Sequence, residues 1–217
     1  MKKNSNFIKY TKIGAVAVLG LGLSYGVGTF TPNTWTINDI VAKAEENIIG
    51  EWNEFGFHEP SIEYTNNAQF VVGVSRCIDF LNLHTEISKR VPRDIIVAMA
   101  ILETGYGKSR FALEGNNLFG IRTWDKNTPQ LKPLELPNAA FGVKIYKTKC
   151  ASVKDMIHTI NTHRAYIDYR DERDRQEATG VLDINAQVDQ LHKWSTNPNY
   201  TALVKEKILI LQGKQHD

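Results

Sequence analysis

Glu103 ends the apolar run Val97-Ala98-Met99-Ala100-Ile101-Leu102 and stands just before Thr104-Gly105-Tyr106-Gly107. A carboxylate at the end of a helix faces the partially negative carbonyls of the last turn, which costs about 0.3–1 kcal/mol. The same setting raises a carboxyl pKa, and a carboxyl that keeps its proton near neutral pH is what a general acid requires. Gly105 and Gly107 have no Cβ, so the backbone beside Glu103 is open to close approach by a polymer chain. Tyr106 between them offers a flat ring and a hydroxyl. Further on, Asn116-Asn117 precedes the apolar turn Leu118-Phe119-Gly120-Ile121. Adjacent asparagines hydrogen-bond either their own backbone or the amide of a ligand. Taken singly, Glu103 reads equally as a surface glutamate at a helix end, and the asparagine pair as a self-supporting turn.

The elements that must hold these residues follow from apolar spacing. Phe70, Val71, Val74, Ile78 and Leu81 recur at helical intervals, predicting one long helix. Pro92 is placed as the first residue of the next, with Ile95, Ile96, Met99 and Leu102 on its inner face. Gly105 ends that helix in the left-handed conformation. A short helix from Ser109 to Leu113, closed by Gly115, follows. Residues 121–146 change character: Ile121-Arg122-Thr123-Trp124, a polar proline-marked stretch, then Phe141-Gly142-Val143-Lys144-Ile145-Tyr146 predict a small antiparallel β element. Ser152 and Asp155 mark the start of a helix carrying Val153, Met156, Ile157 and Ile160 on one stripe. Residues 164–175 form a charged, solvated helical face. Two helices complete the chain: one through Ile184, Val188 and Leu191, and one opened by Pro198 through Leu203, Val204, Ile208 and Leu211. The expected class is α+β, mainly helical with a small antiparallel β lobe.

Glu103-Thr104-Gly105-Tyr106-Gly107-Lys108-Ser109 followed by Asn116-Asn117-Leu118-Phe119-Gly120-Ile121 closely resembles the signature of the bacterial glucosaminidases of glycoside hydrolase family 73. Tyr146 with Ala151-Ser152-Val153 is similar to that family's step from β lobe to helix. Asn161-Thr162-His163-Arg164-Ala165-Tyr166 resembles a segment of its Bax-type branch, and Asn197-Pro198-Asn199-Tyr200 resembles the opening of its last helix. The resemblance runs over roughly residues 65–212. It implies a lysozyme-like domain and cleavage of β-1,4 linkages in the glycan strands of peptidoglycan, with Glu103 as general acid. It also implies that Tyr166 and Tyr200 stand near the substrate groove.

Glycosidases usually need a second group, as nucleophile or base. Glu135 is the one acid between Lys126 and Phe141 and is the candidate; Asp125 and Glu114 are weaker ones. Without a second carboxylate in reach, the substrate's own acetamido oxygen would assist. Tyr106, Asn116, Asn117, Phe119 and Trp124 join Tyr166 and Tyr200 as expected substrate contacts, Trp124 by stacking on a sugar face. His158, His163 and His192 make no metal set, and neither a metal nor a cofactor is expected.

The chain has 217 residues, 42% hydrophobic and 23% charged, with a net charge of +2. That is neither a disordered composition nor one that argues for nucleic acid. Lys2, Lys3, Lys9 and Lys12 precede an uncharged stretch of 18 residues, Ile13 to Phe30. Residues 1–30 therefore read as a signal peptide or membrane anchor, residues 31–59 as a tether and residues 60–217 as the glucosaminidase domain. The positive side should stay inside and the rest should be exported, to the periplasm or cell envelope, with the inner membrane as the anchor if the leader is retained. A monomer is expected. Cys77 and Cys150 leave two readings open, a pair in an exported protein or two thiols in a core. Three functions follow: an endo-β-N-acetylglucosaminidase, a muramidase or lytic transglycosylase on a similar scaffold, or an inactive cell-wall binding or scaffolding protein.

Overall fold

The structure is a computed structural model that describes Lys43 and residues 58–213. The expected leader at 1–30 and almost all of the expected tether lie outside the described residues. The chain divides into Met1–His58 and Glu59–Asp217, and every element named below belongs to the second unit. Among the described residues no helix is long and apolar enough to cross a membrane.

Helix α1, Asn67–Asn82, is capped by Asn66, whose side chain accepts from the Gln69 N–H at 2.9 Å. It buries Phe70, Val74, Cys77, Ile78 and Leu81 along one face, while Val71 is only half-buried. Helix α2, Arg93–Thr104, starts one residue later than expected, with Pro92 at the cap. Every residue from Ile95 to Ile101 is buried. A helix apolar all round belongs at the centre of a domain rather than on its surface, and α2 lies along the last helix, α7 (Tyr200–Leu211). Gly105, at φ 59°, closes α2 by donating to the Ile101 carbonyl at 2.8 Å.

Helix α3, Arg110–Gly115, is capped by Ser109. Asn116, not Gly115, takes the left-handed position at its end, with φ 52°. Gly115 is needed for a different reason: a Cβ there would stand 3.1 Å from Leu131 Cδ1, so glycine lets the β lobe approach the helix. The lobe has three short strands, β1 Arg122–Thr123, β2 Gln130–Leu131 and β3 Gly142–Lys144, in the order β1-β3-β2 and antiparallel throughout. The register places Arg122 opposite Val143 and Gln130 opposite Lys144. Strand β2 escaped the sequence reading because two residues are too few to display an alternation.

Helix α4, Lys149–Thr162, begins earlier than expected, at a cap formed by Thr148, whose hydroxyl accepts from the Ala151 N–H at 3.0 Å. Ser152 and Asp155 are therefore inside the helix. The buried Ser152 hydroxyl accepts from the Leu118 N–H at 3.3 Å, and Asp155 accepts from Tyr146 Oη at 2.6 Å and Lys144 Nζ at 2.7 Å. Both join the helix to the site-bearing segment. Of the two cysteine readings, pairing is the one found: a Cys77–Cys150 disulfide ties α1 to α4. A 3-10 turn, Arg164–Tyr166, leads into α5, Ile167–Thr179. This charged helix still buries Tyr169 and Gln176. Helix α6, Ile184–Asp189, stops short of Leu191, and a 3-10 turn, His192–Trp194, precedes α7.

Candidate active site

Glu103 sits in the last turn of α2, half-buried. Tyr200 Oη donates to its Oε1 at 3.0 Å, and the Trp194 side chain stands close enough to bear on its charge. Burial raises the carboxyl above its ordinary value; the Tyr200 hydrogen bond, the nearby Trp194 side chain and the charge of Arg122 pull the other way without cancelling the rise. Desolvation, rather than the end of the helix, is the leading cause of its shift. A carboxyl held this way keeps its proton at higher pH than an exposed one while remaining clasped in a fixed direction.

Gly105, Tyr106 and Gly107 all have positive φ, at 59°, 63° and 76°. The run turns the chain sharply away from Glu103 and is pinned by three bonds. The Thr104 hydroxyl accepts from the Gly107 N–H at 2.7 Å, the Thr104 carbonyl accepts from the Ser109 N–H at 2.9 Å, and Tyr64 Oη donates to the Gly107 carbonyl at 2.7 Å. Tyr106 directs its half-buried ring edgewise to Phe70, centroids 6.2 Å apart.

The asparagine pair, expected to meet substrate, spends its side chains on the protein's own backbone. Asn117 is 1% exposed. Its Nδ2 donates to the Ile121 and Lys144 carbonyls at 3.1 and 2.9 Å, and its Oδ1 accepts from the Phe119 and Ile121 N–H groups at 3.1 and 3.2 Å. Two donors and two acceptor positions are thereby filled, and the amide has nothing left for a ligand. Asn116 Nδ2 donates to the Tyr146 carbonyl at 3.0 Å, latching the end of α3 to the chain after β3. Phe119, 2% exposed, is likewise a packing residue, set edgewise to Trp194 with centroids 6.4 Å apart. Together these residues fix the turn whose Gly120, at φ 64°, passes beside the acid: a Cβ there would lie 3.8 Å from Glu103 Oε2.

On the other flank, Tyr166 is buried, its ring 5.7 Å from Trp194, and burial together with the Glu103 charge pushes its hydroxyl up to about 12. Burial and the same carboxylate also push the Tyr200 hydroxyl up. Glu103, Tyr166, Trp194 and Tyr200 thus form one cluster assembled from α2, the turn before α5, the turn before α7, and α7 itself. Trp194 and Arg122 were absent from the residues singled out in the sequence. Trp194 lies in a turn with no periodic signal, and Arg122 directly follows the Asn-Asn-Leu-Phe-Gly-Ile block, where the sequence predicts only a strand.

The remaining expected residues lie on the β lobe. Trp124 is 66% exposed, tilted against Phe141 at 6.0 Å. Glu135 is exposed in a turn where the Leu136 N–H meets the Pro133 carbonyl at 3.2 Å, and no hydrogen bond or ion pair among the described residues ties it to the Glu103 cluster. Asp125 folds back on its own loop, accepting from the Asn127 N–H at 2.9 Å and the Thr128 hydroxyl at 3.0 Å, and Glu114 pairs with Arg110 at 2.9 Å. Among the described residues no cluster of His, Cys, Asp and Glu could hold a metal ion. An open recess of about 530 Å³ between residues 61–65 and α1 is not lined by Glu103.

The family model described as mannosyl-glycoprotein endo-beta-N-acetylglucosaminidase matches residues 83–212. Over 107 residues the chain is 27% identical to Protein bax of Escherichia coli (strain K12), an alignment that covers 49% of this chain and 37% of that protein. The chain therefore spans little more than a third of the length of this curated relative. The crystal structure of the catalytic domain of the autolysin Auto from Listeria monocytogenes matches with a TM-score of 0.50 at 16% identity, over 78% of this chain and 97% of that one, a likeness of fold. With the Glu103 and Asn116–Ile121 blocks both inside the matched region, the chain belongs to the bacterial glucosaminidase family, glycoside hydrolase family 73.

Proposed function

We propose that the protein is an endo-β-N-acetylglucosaminidase that cleaves β-1,4 glycosidic bonds in peptidoglycan strands, with Glu103 as the general acid. The observation that carries this reading is a half-buried carboxyl, raised by desolvation and directed by Tyr200. A proton held there is delivered to the leaving glycosidic oxygen as the C1–O bond breaks. The disulfide supports action outside the cytoplasm, where such bonds persist, and the basic, uncharged-cored leader at 1–30 is the proposed route of export.

The second group is proposed to be the substrate's own 2-acetamido oxygen. It attacks C1 as Glu103 gives up its proton, and the same carboxylate then takes a proton from the incoming water. This route needs one enzyme carboxylate, which matches a cluster that joins Glu103 to tyrosines, a tryptophan and an arginine. Glu135 is the second reading, as a nucleophile or base reached by closure of the lobe; Glu135→Gln distinguishes the two, with near-normal turnover on the first and a loss of about 100-fold or more on the second.

The activity is tested by digesting purified peptidoglycan with the protein from residue 59 onward and identifying the new ends by mass spectrometry. Reducing N-acetylglucosamine ends support the proposal. Anhydromuramic ends would make the protein a transglycosylase, reducing muramic ends a muramidase, and no products a binding or scaffolding protein.

A further inference from the structure

Strand β1 leaves the Gly120 turn beside Glu103 with Arg122 exposed and Thr123 buried, and Trp124, just past its end, is exposed again. Arg122 and Trp124 turn to the same side, as their common contact with Phe141 shows. Both meet Phe141, which β3 brings across: the Arg122 guanidinium lies 4.4 Å over the Phe141 ring, and Trp124 flanks the same ring at 6.0 Å. The stacked plane holds the guanidinium in one orientation at low cost in freedom. Among the described residues Arg122 makes neither an ion pair nor a hydrogen bond, whereas most of the other arginines of the domain are spent on carbonyls or carboxylates. Its charge reaches Glu103. The acid centre is thus bordered by a fixed, exposed cation with its fork of N–H donors unused, on an aromatic ledge.

We propose that Arg122 reads negative charge on the glycan, taking a carboxylate carried on the branch at the 3-position of a sugar next to the scissile bond, so that the enzyme prefers charged strands to neutral ones. The inference rests on the glycan-cleaving function proposed above. Guanidinium and carboxylate match as a two-pronged pair, which a neutral polymer of N-acetylglucosamine cannot supply. In peptidoglycan the carboxylate has two sources: the lactyl group once its peptide is removed, or the peptide stem while it is attached.

The test compares wild type, Arg122→Gln and Arg122→Lys on three substrates: intact peptidoglycan strands, strands stripped of peptide by an amidase, and chitin oligosaccharides. Arg122→Gln should lower kcat/KM on charged strands by about 10–100-fold, mainly through KM, and lower it far less on chitin. Arg122→Lys, which keeps the charge and loses the fork, should fall between. A loss confined to intact strands assigns the carboxylate to the peptide, one confined to stripped strands assigns it to the lactyl group, and a loss on both shows that Arg122 takes either. Equal loss on all three substrates, or none, overturns the proposal. Binding supplies an arm that does not depend on turnover. In a Glu103→Gln background, adding Arg122→Gln should release the protein from sedimented peptidoglycan at lower salt and leave chitin binding where it was. Identical release curves refute the inference even if cleavage is absent, whereas a shifted curve without cleavage by wild type refutes only the enzymatic function.

Discussion

Replacing Tyr200 by Phe removes one oxygen from a ring that is 5% exposed and leaves the packing of α7 against α2 in place. The lost atom is the donor to Glu103 Oε1 at 3.0 Å. A hydrogen bond to a charged acceptor contributes about 1.5–3 kcal/mol and one to a neutral acceptor about 0.5–1.5 kcal/mol. The ionised form of Glu103 therefore loses more than the protonated form, by about 1–1.5 kcal/mol, roughly a tenfold shift in the protonation equilibrium toward the acid. Because the general acid must carry its proton, activity falls as pH rises through the Glu103 titration. Tyr200→Phe should move that alkaline fall to higher pH. The assay is the pH profile of kcat/KM on solubilised peptidoglycan, with thermal melts confirming that both proteins are folded across the range. An alkaline limb that stays where it was, or moves to lower pH, would refute the reasoning that Tyr200 stabilises the ionised acid.

Glu103→Gln should abolish cleavage and raise Tm at neutral pH. The folded-state carboxyl titrates above its ordinary value of 4.5, so the folded protein holds a proton that the unfolded chain has lost, and stability falls as pH rises through that window. The variant escapes this cost, so its advantage in Tm at pH 7 should vanish below about pH 4.5; a lower Tm at pH 7 than wild type would contradict it. Cys77→Ala with Cys150→Ala opens a cross-link between residues 73 apart, and chain entropy puts the loss at about 4 kcal/mol in urea unfolding; a loss under about 1 kcal/mol would show that the link constrains little. Gly107→Ala would place a Cβ against the Tyr64 hydroxyl and 2.8 Å from Phe70 Cε2 at a φ of 76°. Left-handed strain of about 1–2 kcal/mol and overpacking of about 1–3 kcal/mol should add, read as a drop in unfolding free energy.

The long helices were legible because their apolar residues repeat at helical spacing: α1, α2, α4 and α7 fall within a few residues of expectation. Boundaries were less so, since caps are local choices. Thr148 displaced Ser152 as the start of α4 because Ser152 is engaged by the Leu118 backbone, a contact between segments 34 residues apart that no local pattern announces. Glu103 was visible through its odd setting and its glycine-rich sequel. The asparagine pair was visible too, but its direction was not, because whether Asn117 faces a ligand or the carbonyls of Ile121 and Lys144 depends on how the β lobe folds back. Trp194, in a short turn, and Arg122, in a two-residue strand, take their meaning from what they stand beside.

The hydrogen bond between Tyr200 and Glu103 joins residues 97 apart. A ribosome finishes the end of α2 long before it makes Trp194 or Tyr200, so the glutamate exists early and its surroundings arrive almost last. Until α7 packs along α2, Glu103 lacks the Tyr200 hydroxyl that holds it. If Glu103 is the general acid proposed above, competence is withheld from the nascent chain and from any fragment clipped ahead of α7. On the role proposed for Glu103, the order of synthesis itself acts as a safeguard, delaying the acid until the domain around it is complete.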